Sequence, residues 1–213
     1  MVFGWGKKKP QKQESDIAPQ KKQILLTDVP NVANEIRSIR TKTIVAEVKT
    51  FRNKINSSCE TILHIAIDLE RDTLKIDDID IHLKRLVERG KNEVISVIKR
   101  ESTAQLPEIN SFEDVKIFNV TSNRMLKKIG DALGRQTRVI HIFAKKYAGK
   151  LKDDLKVMTD RNDEITATIT NHSKLETKIE QIFETMNKIE QSKKLIIDLG
   201  EQQKLTKKII GDL

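Results

Sequence analysis

Apolar residues recur along this chain at the spacing of helical faces. Between residues 31 and 74 they stand mostly three, four or seven positions apart, which places them on one side of a long helix. A second stripe of the same kind continues to about residue 104, and Asp77 can cap its first turn. The two stripes predict a helical hairpin over residues 31–105. A single bent helix is the alternative, because the break contains neither glycine nor proline.

The clearest interruption is the segment Leu106-Pro107-Glu108-Ile109-Asn110. Directly after it, Ser111 and Asp114 have the spacing of a capping box, in which each side chain bonds the backbone of the other residue. We therefore predict a long helix over residues 111–213. At 1.5 Å per residue, even half of it would span roughly 75 Å.

The C-terminal half carries a heptad pattern. Apolar positions alternate in steps of four and three from Leu151 to His172, slip by three residues, and resume from Leu175 to Ile196. Sustained heptads with charged flanks predict a coiled coil over residues 151–199. Its polar members, Asn162 and His172, either set the register or are tolerated weak points. Beyond residue 200, the pattern indicates a continuation of the coiled coil or a short peptide that docks into a partner's groove.

These patterns predict an all-α fold, an elongated helical hairpin plus a long C-terminal helix forming coiled-coil seams. Proline placement agrees, because three of the four prolines lie within residues 1–30 and the fourth is Pro107. An interior proline costs a helix about 3 kcal/mol, so the long proline-free stretches permit long helices. Residues 1–30 are predicted to form a flexible basic N-terminal tail with an aromatic start.

Composition narrows the functional classes. Cys59 is the only cysteine, so an intrachain disulfide cannot form, and a reduced cytoplasmic setting is expected. The chain has no stretch of about 18 apolar residues, so we predict no membrane-spanning helix. It also lacks a phosphate-binding glycine loop, paired histidine ligands and an activated nucleophile. We therefore predict no enzyme activity, no cofactor and no metal site.

The net charge of +9 is concentrated in the first 150 residues. Residues 124–150 hold eight basic residues and a single acid, Asp131. Drawn as one helix, this segment has an apolar arc, an opposite face of small residues, and a basic flank between them. The flank is either an ordinary solvated surface or a site for anionic lipid or a phosphate backbone. Its candidate anion-binding residues are Arg124, Lys127, Lys128, Arg135, Arg138, Lys145 and Lys146.

The face of small residues predicts a close helix crossing. Glycine and alanine let a neighbouring backbone approach, and without such a role each glycine would cost the helix about 1 kcal/mol relative to alanine. The candidate crossing residues are Gly130, Gly134, Ala144 and Ala148.

The start of the chain is a second candidate for membrane contact. Apolar and aromatic side chains that suit shallow insertion precede a lysine cluster, and each lysine adds roughly 1 kcal/mol near an anionic surface. A disordered start, or docking of the tryptophan onto the body, is the alternative. The candidate membrane-binding residues are Val2, Phe3, Trp5, Lys7, Lys8 and Lys9.

Phe3, Trp5 and Lys7–Lys9 resemble the N-terminal wedge of the ESCRT-III membrane-remodelling subunits, which also have a similar length, a basic helical region and a C-terminal tail. The resemblance covers about the first nine residues. Residues 151–213 depart from that family's usual acidic half, since they hold 11 basic and 12 acidic residues. A BAR-like dimer with an N-terminal wedge is similar to the same degree, so no family is assigned.

Together these features predict a non-enzymatic, self-associating coiled-coil scaffold or adaptor, bound peripherally to an anionic membrane through its N-terminus. One alternative is a nucleic-acid-associated coiled-coil protein that uses residues 124–150. Another is a soluble spacer that joins other proteins. The expected partners are therefore copies of the chain, an anionic lipid surface or nucleic acid, and an unidentified protein in the spacer case. The expected location is the cytoplasm, with the inner membrane face as the site of attachment.

Overall fold

The computed structural model describes residues 23–211, and this part of the chain is all-α, as predicted. A 3₁₀ turn at Leu26–Asp28 leads into the first of five helices. The helices are α1 (Val29–Arg71), α2 (Ile81–Ser102), α3 (Phe112–Arg135), α4 (Thr137–Phe143) and α5 (Lys145–Gly211). With 67 residues, α5 is about 100 Å long.

The helical hairpin is confirmed, because α1 and α2 pack against each other. The cap of α2 differs from the prediction: the Asp80 carboxylate, not that of Asp77, accepts the backbone N–H of His82 at 2.8 Å. The segment between α1 and α2 buries Leu74 and Ile76 in the core, so α2 begins after them, at Ile81. Asp77 lies before the helix and pairs with Lys84 at 3.2 Å instead.

The start of α3 is a confirmed capping box. The Ser111 hydroxyl accepts the Asp114 N–H at 3.2 Å, and the Asp114 carboxylate accepts the Ser111 N–H at 2.8 Å. The N–H of Asn110 donates to the same carboxylate at 3.0 Å. These bonds, that from Asn110 first, hold the pKa of Asp114 below its usual range.

A long C-terminal helix is present, as predicted, but it begins at Lys145 and not at residue 111, because the chain leaves helical geometry at Gln136 and again at Ala144. The Gln136 amide donates to Glu93 of α2 at 2.6 Å, so a tertiary contact holds the first break. The breaks allow α5 to run back along α3 and α1. A helical wheel drawn through residues 124–150 therefore joins three separate helices.

The first part of the heptad pattern packs within this chain. Leu151, Met158 and Ile165 are almost fully buried and belong to the single core cluster of the described residues. Their neighbours are α1 and α3, which α5 contacts along its length. The last fully covered heptad position is Ile179. An apolar seam over this part of α5 therefore needs no second chain to cover it.

Candidate functional site

The last 18 described residues of α5, residues 194–211, form a helix that lies beyond the bundle; we call them the α5 end. The start of α1 lies beside Met186, Ile189 and Lys193, so α1 no longer covers α5 after this point. From Lys194 to Ile210, every residue except the half-buried Gly200 is solvent-exposed. At 1.5 Å per residue it extends about 27 Å.

The α5 end exposes an unusual amount of apolar surface. Seven large aliphatic side chains are 60–69% exposed: Leu195, Ile196, Ile197, Leu199, Leu205, Ile209 and Ile210. Single exposed aliphatic residues are common on protein surfaces, but a continuous group marks a surface that binds something.

The charges of the α5 end lie on its other side. At 100° per residue, all of the seven except Ile197 fall within an arc of about 180°. Asp198 also falls in that arc, whereas the lysines and Glu201 lie outside it. The segment carries four lysines and two acids, which gives a net charge of +2. The four lysines are Lys194, Lys204, Lys207 and Lys208.

This apolar arc does not continue the heptad seam. On the same wheel, Ile179 and Met186, which face the bundle, lie on the side of the lysines. The apolar arc of the α5 end therefore points away from the direction in which α5 contacts α1. The exposed arc therefore lies off the line of the covered heptad positions.

The N-terminal peptide is attached at this same end of the molecule. Leu26 and Pro30 border a groove with Phe183 and Met186, so the described chain begins beside the last covered part of α5. Leu25 is 72% exposed and adds to the apolar surface there. The predicted membrane-binding residues lie outside the described residues: Val2, Phe3, Trp5, Lys7, Lys8 and Lys9.

The basic segment lies at the opposite end, where α3, α4 and the start of α5 meet. Three of its candidate residues pair with carboxylates of the same chain: Lys128 with Glu101 at 3.1 Å, Arg135 with Glu93 at 2.8 Å, and Lys146 with Asp72. The other four are exposed and form no ion pair within residues 23–211: Arg124, Lys127, Arg138 and Lys145.

The basic segment and the α5 end do not form one surface. Lys145 and Lys194 are separated by 49 residues of continuous α5, which corresponds to about 70 Å. A flat surface can therefore contact the side of the α5 end without contacting the basic segment. The two regions are separate candidates and need separate tests.

The predicted helix crossing is only partly present. Ala144 and Ala148 are buried, and a Cβ added at Gly130 would lie 4.0 Å from Leu155 Cδ2, an ordinary contact. Gly134, in contrast, faces open space, with no atom within 4 Å of an added Cβ.

Among the described residues, the glycine at a close helix contact is Gly90 of α2, which was not one of the predicted crossing residues. A Cβ there would collide with Gln136 Oε1 and lie 3.1 Å from Val139 Cγ2 of α4. The position of Gly90 in the sequence could have revealed this contact. Gly90 stands three residues after Val87 and four before Val94, which places it in the buried stripe of α2.

The polar heptad residues bind inside the bundle. The Ser122 hydroxyl of α3 donates to the Asn162 side-chain oxygen. His172 Nε2 lies 3.1 Å from the Thr41 hydroxyl of α1, and its ring stacks on Phe112 with 4.0 Å between centroids. Burial, the larger effect, and nearby Lys116, Arg37 and Arg40 lower the pKa of His172, against the opposing charge of Glu176.

None of the helices in residues 23–211 combines the length and apolar content needed to cross a membrane. Comparison with protein-family models, with curated proteins and with solved structures found no match.

Proposed function

We propose that this protein is a non-enzymatic helical scaffold that attaches peripherally to anionic membranes at the end of the bundle from which the α5 end extends. The exposed apolar arc of the α5 end carries this proposal. An interfacial helix lies flat, with aliphatic side chains in the acyl boundary and lysines toward the headgroups and water. The α5 end has this distribution of side chains.

Charge supports a lipid surface as the partner. Each lysine near an anionic surface contributes about 1 kcal/mol, so the four lysines of the α5 end offset the cost of desolvating Asp198 at the edge of the arc. The predicted wedge at residues 2–9 would supply a second membrane contact. Two weak contacts on one molecule bind more tightly than either alone, because the second is made at high local concentration.

Self-association, the other part of the sequence prediction, would have to use different residues from those proposed. The seam from Leu151 to Ile179 is covered inside the chain. The α5 end is one apolar surface that stays exposed among residues 23–211. Copies of the chain and a membrane would therefore compete for the same face.

A flotation experiment tests the proposal. The protein is mixed with vesicles of phosphatidylcholine alone, or of phosphatidylcholine with phosphatidylserine. We expect flotation with the anionic vesicles only, and at least a tenfold loss for the triple variant Leu195→Gln, Leu199→Gln, Ile209→Gln. The matched control is Ile117→Gln with Val120→Gln, which removes aliphatic side chains of α3 that are about half exposed. Equal flotation of both variants would overturn the role of the α5 end.

The basic segment supports a second candidate, nucleic-acid binding. The four residues without an ion pair in the described chain, Arg124, Lys127, Arg138 and Lys145, are available for phosphates. Binding of this kind weakens steeply with salt as counterions are released. A titration with duplex DNA at two salt concentrations distinguishes this function. Salt-sensitive binding lost in Arg138→Gln with Lys145→Gln, without any vesicle binding, would favour it over the membrane proposal.

A further inference from the structure

A cleft of about 400 Å³ opens where α3 ends and α4 passes the first turns of α5. Aliphatic side chains form its floor: Leu133 of α3, Ile140 of α4, and Ala148 and Leu155 of α5. Its α5 wall reaches from Ala148 to Asp160, which corresponds to about 18 Å. The volume is within the usual range of small-molecule sites, roughly 300–1,000 Å³.

Gly134 lines the wall of the cleft, and a Cβ added there would meet nothing within 4 Å. Glycine is a poor choice for an exposed helix position, because it costs about 1 kcal/mol relative to alanine. Since no helix passes close to it, the missing side chain leaves space in the cleft.

The rim of the cleft is mainly cationic. Lys152 and Lys156 are one helical turn apart on α5, both exposed, and neither forms an ion pair within the described residues. Asp160 lies at the far end of the mouth and His141 on the α4 side. The two lysines therefore leave a positive charge beside an apolar floor.

We propose that this cleft binds a long-chain fatty acid, with its acyl chain along the aliphatic floor and its carboxylate between Lys152 and Lys156. The apolar floor suits a hydrocarbon chain, which gains from leaving water. The charge complementarity selects the carboxylate, because a lysine pair forms charge-assisted hydrogen bonds with it. A nucleotide fits poorly, since the floor offers no aromatic ring for stacking. The site is separate from the α5 end, so it goes beyond the proposed function.

The test uses the full chain, without vesicles, titrated with oleate below its micelle concentration and with oleyl alcohol in parallel. We expect one oleate bound per chain. Gly134→Leu should weaken oleate binding at least tenfold by filling the cleft, without unfolding the helix. The matched control is Gly149→Leu, because Gly149 is also a helical glycine facing open space but does not line the cleft. Unchanged affinity in Gly134→Leu would overturn the proposal.

Two further measurements test which ligand the cleft binds. Lys152→Gln with Lys156→Gln should weaken oleate binding at least fivefold and leave oleyl alcohol binding unchanged. Equal effects on both ligands would mean that the lysines do not hold the carboxylate. Oleate affinity should survive in the Leu195→Gln, Leu199→Gln, Ile209→Gln variant; its loss there would place binding at the α5 end. If sedimentation shows a dimer that Gly134→Leu converts to a monomer, a second copy fills the cleft and the fatty acid assignment is wrong.

Discussion

The Tyr147 hydroxyl of α5 donates a hydrogen bond to the Asp72 carboxylate, 2.9 Å away, just after the end of α1. The same carboxylate pairs with Lys146 and accepts the N–H of Leu74 at 2.9 Å. These contacts, that of Lys146 first, hold the pKa of Asp72 well below its usual range. Residues 75 positions apart thus fix where α5 starts beside the hairpin turn.

Tyr147→Phe should lower the free energy of unfolding by about 1–2 kcal/mol at pH 7, because a hydrogen bond to a charged carboxylate is lost while the buried ring remains. A carboxyl with a depressed folded pKa stabilises the fold above its unfolded value, near 4, and loses that contribution as pH falls. This loss is the same for variant and wild type until the pH falls through the depressed folded pKa of Asp72, so the difference between them should persist at pH 3. Urea denaturation at both pH values measures it, and identical midpoints at pH 7 would exclude this bond as a stabilising contact.

Gly90→Leu and Gly134→Leu should have effects of opposite sign. Leucine at Gly90 would displace Gln136 from Glu93 and overpack α2 against α4, a loss of about 1–3 kcal/mol. Leucine at Gly134 enters open space and should be neutral or stabilising by up to about 1 kcal/mol. Thermal melts followed by circular dichroism separate the two. Destabilisation by Gly134→Leu would mean that this face packs against something beyond the described residues.

Lowering the pH from 7.5 to 5.5 should destabilise the protein through His172. Its folded pKa is lowered, so between the unfolded value near 6.5 and the folded value the unfolded chain binds the extra proton. Protonation would place a cation beside Arg37, Arg40 and Lys116, with Glu176 as the opposing charge.

His172→Gln should remove most of this pH dependence in urea denaturation. His64→Gln, which changes an exposed histidine of α1, is the matched control and should keep it. An unchanged pH dependence in His172→Gln would show that other groups cause the effect.

Truncation after Lys193 should leave the melting temperature of the bundle unchanged, because every described side chain beyond it is exposed. Vesicle binding should fall at least tenfold in the same variant. Differential scanning calorimetry measures the first effect and flotation the second. A clear drop in the melting temperature at micromolar concentration would instead reveal that the α5 end packs on the bundle or on another copy.

The local features of this fold could be predicted from the sequence, and the tertiary ones could not. The capping box of Ser111 and Asp114 can be recognised from four consecutive residues, and Pro107 marks the loop before it. The break at Gln136 has no such marker, since it depends on a bond to Glu93 of another helix. Periodicity alone therefore joined three helices into one.

The candidate sites follow the same rule. The basic character of residues 124–150 is plain in the sequence, but the partners of its paired members are not. Lys128 and Arg135 meet carboxylates 27 and 42 positions earlier in the chain. The exposure of the α5 end could not be predicted from the sequence either. A heptad repeat shows which positions are apolar, but not which turns of the helix are covered by the rest of the chain.

Helix α1 and its main neighbour, α5, are far apart along the chain, and this separation matters while the chain is being synthesised. The half of α1 that carries Arg37, Thr41 and Phe51 contacts α5 at Glu176, His172 and Arg161. Thr41 precedes His172 by 131 positions, so at about 5–20 residues per second the ribosome adds the second roughly 7–26 s after the first. Throughout that interval the nascent α1 offers an apolar stripe to chaperones that bind emerging chains.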